Sequence, residues 1–154
     1  MKYSIITSDQ LQSAIVLIHS SIDALNGKDY SQQEISAMKK YQNKESLQTK
    51  LNRGAKYFIA VDGDRIVGIG GIEEDSVSTV FVDPKYKGKG IGKASMGLIE
   101  NAALDSGITQ IGLGSTITAR GFYEKQGFYQ VKEQFLELQG LKIKMYLMLK
   151  DLKD

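Results

Sequence analysis

The sequence predicts one domain, residues 1–154, with a mixed α+β (α/β) fold in which helices flank a central, mostly antiparallel sheet. Two pairs of apolar runs surround the glycine turns at Gly63 and Gly140, and such pairs are typical of β-hairpins. Between these hairpins, residues 77–113 have the pattern of a strand, a helix and a second strand, which makes the two strands parallel. A chain of 154 residues suffices for one domain that buries about two-thirds of its surface.

Apolar periodicity and turn residues predict the individual elements. Helical spacing extends over 11–25, where Asn26-Gly27 ends the first helix. Ser31 and Glu34 have the spacing of a capping box, which predicts that a second helix begins there. Predicted strands cover 3–6, 57–61, 65–72, 77–82, 108–113, 130–138 and 141–149; predicted helices cover 11–25, 31–39, 45–52, 91–105 and a short segment around 122.

Composition argues against several functional classes. The net charge of +2 provides no basic field for nucleic acid. The chain has no cysteine, which removes disulfides, thiolate metal sites and a cysteine nucleophile, and we expect no metal. The amino-terminal residues lack the apolar core and cleavage site of a signal peptide, and the longest strongly apolar run is 14–18. We therefore expect a cytoplasmic protein that does not associate with membranes.

A basic, glycine-rich loop follows the strand that Asp83-Pro84 ends, and helical spacing begins inside it. Glycines let backbone N–H groups approach a ligand closely, and a helix start adds free donors and a partial positive charge. The loop is therefore a candidate phosphate-binding site. A P-loop is excluded because three residues, not four, separate Gly88 from Gly92-Lys93, and Ala94 follows. A dinucleotide fingerprint fits poorly, because the third glycine comes one residue early.

Two motifs resemble those of the GNAT acetyltransferase superfamily. Residues 87–92 are similar to its pyrophosphate loop, Gln/Arg-x-x-Gly-x-Gly/Ala, with Lys87 replacing the first residue. Residues 119–128 match its segment A-x-x-F-Y-x-K-x-G-F at every fixed position. Thr116 stands where the family often has Asn or Ser. The predicted order of elements is also that of the GNAT fold, so the resemblance covers nearly the whole chain.

The resemblance implies an acetyl-CoA-dependent N-acetyltransferase that acts by direct transfer in a ternary complex. The glycine loop would bind the pyrophosphate, and the strand at 81–82 would pair with the pantetheine arm where the two parallel strands separate. A free N–H near Val82 would stabilise the oxyanion. The predicted cofactor-binding residues are Phe81, Val82, Lys87, Gly88, Lys89, Gly90, Ile91, Gly92, Lys93, Thr116 and Phe122.

The predicted catalytic residues are Tyr123, Glu73 and Glu74. In the family pattern the tyrosine donates a proton to the departing thiolate, and a phenol with its ordinary pKa of about 10 is protonated at neutral pH. The two glutamates end the third strand beside the expected cleft, where a carboxylate could take the proton of the amine. His19, the only histidine, is a weaker candidate, and water or an already neutral amine remain alternatives.

A non-catalytic acyl-CoA-binding or sensor domain is the main alternative, and a nucleotide or nucleic-acid binder is a third. Tyr123 favours the enzyme, whereas the unassigned base favours the sensor. Tyr30, Ser31 and Tyr41 lie in the segment that covers the acceptor site in this family. The sequence does not identify the amine acceptor, which is a small molecule or a protein. It also leaves open the length of the acyl group and the oligomeric state, for which a homodimer is one possibility.

Overall fold

A seven-stranded mixed sheet forms the centre of the protein, and a computed structural model describes residues 1–153. The strand order is β1-β2-β3-β4-β5-β7-β6. The strands are β1 (Lys2–Ile5), β2 (Lys56–Asp62), β3 (Arg65–Glu73), β4 (Ser76–Val82), β5 (Gln110–Thr116), β6 (Tyr129–Leu138) and β7 (Leu141–Asp151). The helices are α1 (Leu11–Leu25), α2 (Gln32–Tyr41), α3 (Lys44–Asn52), α4 (Ile91–Asp105) and α5 (Arg120–Lys125).

The predicted mixed fold is confirmed, with small differences at the element ends. The capping box at α2 is present: Glu34 N–H donates to Ser31 Oγ (3.1 Å), and Ser31 N–H donates to Glu34 Oε1 (2.9 Å). Strand β5 begins two residues later than predicted. The N–H of Ile108 donates instead to the carbonyl of Ala103 (2.9 Å), so this apolar residue belongs to the end of α4. No helix within residues 1–153 combines the length and apolarity needed to cross a membrane.

Among the strands of residues 1–153, only β4 and β5 are parallel neighbours, and they pair at a single position, Ser76 with Gly112. From there the two strands separate towards their carboxyl ends at Val82 and Thr116. By contrast, β5 pairs with β7 along its whole length from Gln110. The separation of the two parallel strands that the sequence predicted is therefore present, and it opens towards the glycine loop.

Two apolar cores lie on opposite faces of the sheet. On the face that we call the α1 face, α1, α2 and α3 pack against strand residues that include Tyr57, Ile59 and Ile69. On the α4 face, α4 packs with residues that include Ile111 and Tyr123. Both faces of the central strands are covered, whereas β1 and most of β6 are exposed, so the central strands contribute apolar side chains in both directions.

Glycines in β3 bring the layers together. A Cβ on Gly68 would lie 2.6 Å from Cγ2 of Ile91, and a Cβ on Gly70 would lie 3.1 Å from Cδ1 of Ile99. On the α1 face, a Cβ on Gly71 would lie 2.2 Å from a ring carbon of Tyr57. These glycines therefore let α4 lie close to the sheet on one side and let an aromatic ring cover β3 on the other.

Tyr30 links the connection between α1 and α2 to the open end of the sheet. Its hydroxyl accepts a hydrogen bond from Ile117 N–H (2.8 Å) and donates one to the Lys144 carbonyl (2.7 Å). Burial raises the pKa of Tyr30 to about 12. The side chain is only 6% exposed, so Tyr30 supports the segment from within, whereas Tyr41 remains exposed as a candidate acceptor contact.

The link predicts a stability loss in Tyr30→Phe. Removal of the hydroxyl leaves the Ile117 N–H and the Lys144 carbonyl without a partner, which costs about 1–3 kcal/mol of unfolding free energy. Urea denaturation measures this change. Tyr41→Phe is the matched control, because this tyrosine is 43% exposed and should change stability by less than about 0.5 kcal/mol. Equal effects of the two substitutions would contradict the structural role of Tyr30.

Candidate active site

The glycine loop has the backbone that a phosphate-binding loop requires. Gly88 and Gly90 have φ values of +81° and +80°, a region that residues with side chains rarely adopt. Within residues 1–153, apart from the adjoining residues, no atom lies within 4 Å of a Cβ at either position. Gly90 is the N-cap of α4. The first N–H groups of a helix have no partner within it, so the backbone at 91–93 presents donors to this open space.

Contacts of Asp83, Tyr86 and Ile91 hold the loop in place. The carboxylate of Asp83 accepts hydrogen bonds from Lys85 N–H and from Arg65 Nη2, both at 2.9 Å. The hydroxyl of Tyr86 donates to Asp62 Oδ2 at 2.6 Å. Ile91 is 2% exposed and packs with Ala60, so its side chain anchors α4 and only its backbone can face a ligand. Sequence reasoning gave Asp83 only the role of ending a strand, because its partner Arg65 is distant in the chain.

The lysines of the loop supply free positive charge. Lys85, Lys87, Lys89 and Lys93 are exposed or partly exposed, and none of them forms an ion pair within residues 1–153. The ammonium of Lys89 lies 5.1 Å from the ring centre of Tyr86. The loop therefore combines an open backbone with uncompensated cations, which is suited to a polyanion such as a pyrophosphate.

The structure brings the two sequence motifs into contact. A Cβ on Gly92 would lie 2.9 Å from Cε1 and Cζ of Phe122, so the missing side chain is what allows the Phe122 ring to pack on the first turn of α4. The rings of Phe122 and Tyr123 meet edge to face at 5.2 Å, and Tyr123 meets Phe128 in the same way at 5.6 Å. The short helix α5 is thereby fixed against the glycine loop.

Tyr123 lies in the core of the α4 face and is 7% exposed. Burial raises the pKa of its phenol above the ordinary value, because desolvation disfavours the phenolate. The group therefore keeps its proton at neutral and moderately alkaline pH. A protonated phenol in this position can donate a hydrogen bond or a proton, but it is a poor base.

The remaining predicted cofactor contacts lie near the opening between β4 and β5. Phe81 packs towards the α1 face, and the carbonyl of Val82 accepts a hydrogen bond from Ser21 Oγ of α1 (3.2 Å). The hydroxyl of Thr116 accepts from Ala119 N–H (3.1 Å), which holds the start of α5. Ser21 was not found from the sequence, because nothing in an apolar helical pattern distinguishes a serine that contacts a strand 61 residues away.

The two predicted carboxylates, Glu73 and Glu74, lie at the amino-terminal end of β4, away from the glycine loop. Glu73 is opposite Ser76, where β4 and β5 pair, and Glu74 is in the following turn with a φ of +54°. The guanidinium of Arg53 donates two hydrogen bonds to Glu73, at 2.8 and 2.9 Å, and holds the pKa of Glu73 below its ordinary value. The structure thus places both glutamates away from the glycine loop, and their role as a base stays a prediction.

The third candidate base has a structural partner. Nε2 of His19 lies 2.7 Å from the Gln42 carbonyl oxygen and joins α1 to the end of α2. This arrangement fits the alternative that a lone histidine on an apolar helix is structural. Within residues 1–153, no three His, Cys, Asp or Glu side chains are grouped so that they could hold a metal ion.

Known proteins match both the sequence and the fold. Residues 26–149 match the family model of the acetyltransferase (GNAT) domain. The uncharacterized N-acetyltransferase YafP of Escherichia coli (strain K12) is 30% identical over 111 residues, which are 72% of this chain and 69% of that protein. The fold and the site therefore define an acyltransferase domain.

The chain belongs to the GNAT family and is an N-acetyltransferase, and the family uses acetyl-CoA. A GCN5-related N-acetyltransferase from Rhodopseudomonas palustris has the same fold, with a TM-score of 0.92 at 20% identity over 98% of this chain and 95% of that one. PaiA N-acetyltransferase from Thermoplasma acidophilum, solved in complex with coenzyme A, has a TM-score of 0.77 at 20% identity over 98% and 99% of the two chains.

The packing of Phe122 predicts opposite effects for two glycine substitutions in α4. In Gly92→Ala the new Cβ collides with the Phe122 ring, so we expect a loss of about 1–3 kcal/mol in unfolding free energy. Gly97 lies on the same helix, and a Cβ there would meet no atom within 4 Å in residues 1–153 beyond its chain neighbours and the backbone of the helix itself. Gly97→Ala should therefore stabilise the protein by about 0.5–1 kcal/mol. Urea denaturation compares the two, and a stabilised Gly92→Ala variant would refute the contact.

Proposed function

We propose that this protein transfers an acetyl group from acetyl-CoA to a primary amine by direct attack in a ternary complex. The observation that carries the proposal is the opening between β4 and β5. The glycine loop follows the first of these strands, and Tyr123 follows the second. A single-step mechanism agrees with the absence of cysteine from the sequence, since no thiol is available to carry the acyl group.

Cofactor binding in this proposal uses the backbone of the loop and of β4. The N–H groups at the start of α4 and the free lysines bind the pyrophosphate, and the dipole of the 15-residue helix adds to the attraction. The pantetheine arm contains amides like those of a peptide. It pairs with the edge of β4 at 81–82, where β5 has moved away and leaves backbone groups to be satisfied.

The chemistry needs one proton donor and one charge stabiliser. The neutral amine attacks the thioester carbonyl carbon, and a free N–H of β4 near Val82 stabilises the oxyanion that forms. The C–S bond then breaks, the thiolate takes the proton of the Tyr123 hydroxyl, and the amide product forms once the amine nitrogen has lost its proton. Water can remove that proton and return one to the phenolate, so the cycle closes without a net change in the protein.

The removal of the amine proton does not require Glu73 in this scheme. Its carboxylate is paired with Arg53, and it lies at the closed end of the two strands. Glu74 forms no ion pair within residues 1–153 and remains the carboxylate candidate. We propose that the nitrogen gives its proton to water after the neutral amine has attacked, because Glu73 is held by Arg53.

The proposed phosphate contact predicts a loss of coenzyme A affinity in Gly90→Asn. Asparagine tolerates a positive φ, so the backbone is kept, while its side chain fills the open space in front of the N–H groups. We expect calorimetry to show affinity weakened by more than tenfold, or about 1.4 kcal/mol. Gly107→Asn is the matched control, since Gly107 has a φ of +79° just beyond the opposite end of α4, with the same open surroundings. Unchanged coenzyme A affinity in the folded Gly90→Asn variant would exclude the loop as the pyrophosphate-binding site.

The proposed acid predicts a selective loss of turnover in Tyr123→Phe. The ring stays packed between Phe122 and Phe128, while the proton donor disappears. General acid catalysis contributes about 10²–10⁴ in rate, and water can replace part of it, so kcat should fall by about 10² with coenzyme A affinity nearly unchanged. A coupled thiol-release assay with benzylamine, spermidine, kanamycin, glycinamide and a short peptide as acceptors measures the change.

Two outcomes of this assay would overturn parts of the proposal. A folded Tyr123→Phe variant with the parent rate would exclude the tyrosine as the acid. If the parent protein binds coenzyme A but acetylates no amine of the panel, the proposed direct transfer to a primary amine loses its support and a binding or sensor role gains it.

A further inference from the structure

The middle of β4 contains a bulge. Gly71 of β3 pairs with Ser78 and Ile69 pairs with Phe81, so Thr79 and Val80 together stand opposite one residue of β3. Thr79 has a φ of +58°, the left-handed region. For a β-branched residue this backbone costs of the order of 1–3 kcal/mol and persists only where the surroundings enforce it.

The bulge turns two successive hydroxyls to the same face. Val77 packs in the core of the α4 face, and Cγ2 of Val80 lies 3.7 Å from the Cβ position of Gly70 on that face. Side chains alternate along a regular strand, so only one residue would separate two positions on the same face. Here two residues, Ser78 and Thr79, separate Val77 from Val80. Ser78 and Thr79 therefore both point to the α1 face.

There they meet a third hydroxyl. The ring of Tyr57 lies on Gly71, and its hydroxyl is 3.4 Å from Ser78 Oγ. Burial raises the pKa of this phenol; Ser78, and Thr79 from outside hydrogen-bonding geometry, act in the opposite direction. We call Tyr57, Ser78 and Thr79 the hydroxyl cluster.

Thr79 is the unsatisfied member of the cluster. The residue is 7% exposed, and its Oγ1 has no hydrogen-bond partner among residues 1–153. A buried hydroxyl without a partner costs about 1–3 kcal/mol, and native structures contain few of them. Thr79 thus combines backbone strain with a lost hydrogen bond, which a residue with a purely structural role would not need.

The location of the cluster points to a ligand. Thr79 is three residues beyond Ser76, the last position at which β4 pairs with β5, so it lies at the inner end of the opening. Tyr123 lies in the core of the α4 face, and the hydroxyl cluster lies on the α1 face. A thioester held between the two strands would have the proton donor on one side and the hydroxyls on the other.

We propose that the hydroxyl cluster binds the acceptor, with Thr79 Oγ1 accepting a hydrogen bond from the N–H of a neutral primary amine. This inference rests on the proposed function. The bond directs the nitrogen lone pair at the thioester carbon, and Thr79 itself neither gains nor loses a proton. The charges that act on Tyr57 are those of Glu73 and Arg53, which form an ion pair with each other. The phenol therefore faces no unpaired carboxylate that would stabilise an ammonium ion, which suits a neutral amine.

Thr79→Val tests the inference, because valine keeps the β-branch and the backbone strain and replaces only the hydroxyl. Loss of an unsatisfied group should raise the melting temperature by about 2–4 °C. With the panel amine that the parent acetylates fastest, kcat/KM for the amine should fall about tenfold, the loss of one neutral hydrogen bond. Coenzyme A affinity should not change, and Thr79→Ser should recover most of the activity.

The control is Thr118→Val, which removes a hydroxyl that has a partner, Asp29 Oδ2 at 2.7 Å, and should lower the melting temperature. A lower melting temperature of Thr79→Val would show that its hydroxyl is structurally satisfied, and an unchanged kcat/KM would show that it does not contact the acceptor. Either result overturns the inference and leaves the proposed function intact. Absence of turnover in the parent protein would instead count against the proposed function, and the inferred acceptor site would then be rejected as well.

Discussion

The separation of β4 from β5 is the constraint on which the rest of the structure depends. Neighbouring strands normally exchange hydrogen bonds along their length, and unpaired backbone groups are costly when they are buried. Here the two strands share one paired position, and pairing resumes beyond β5, where β7 follows it from Gln110 to Thr116. The opening is therefore held by the sheet on both sides, and the backbone groups that it leaves unpaired are available to a cofactor.

Residues without side chains hold the surrounding layers close to this opening. Gly68 and Gly70 let α4 lie on β3, and Gly92 lets Phe122 lie on α4. The start of α4 is thereby fixed relative to the end of β4, and α5 is fixed relative to both. Since binding and chemistry require positions accurate to a fraction of an ångström, close packing of rigid elements around the opening serves function as well as stability.

Stability and function make opposite demands at this centre. The bulge at Thr79 keeps a strained backbone and an unpaired hydroxyl, and Tyr123 keeps a phenol in an apolar core. The well-satisfied groups lie further out, such as Tyr30 with its two backbone partners and Glu73 with Arg53. A binding and reaction site is expected to contain strained backbone and unsatisfied polar groups, and here both are concentrated where two strands separate.

The sequence by itself determined the elements, the parallel pair and the two motifs, because hydrophobic periodicity, glycine turns and motif spacing are local properties of the chain. It therefore predicted the glycine loop and Tyr123. Only the tertiary structure decided that Glu73 pairs with Arg53, that Asp83 pairs with Arg65, and that Thr79 turns to the same face as Ser78. Those arrangements depend on register and on contacts between residues distant in the chain, and a one-residue bulge reverses the face of a side chain without any mark in the local pattern.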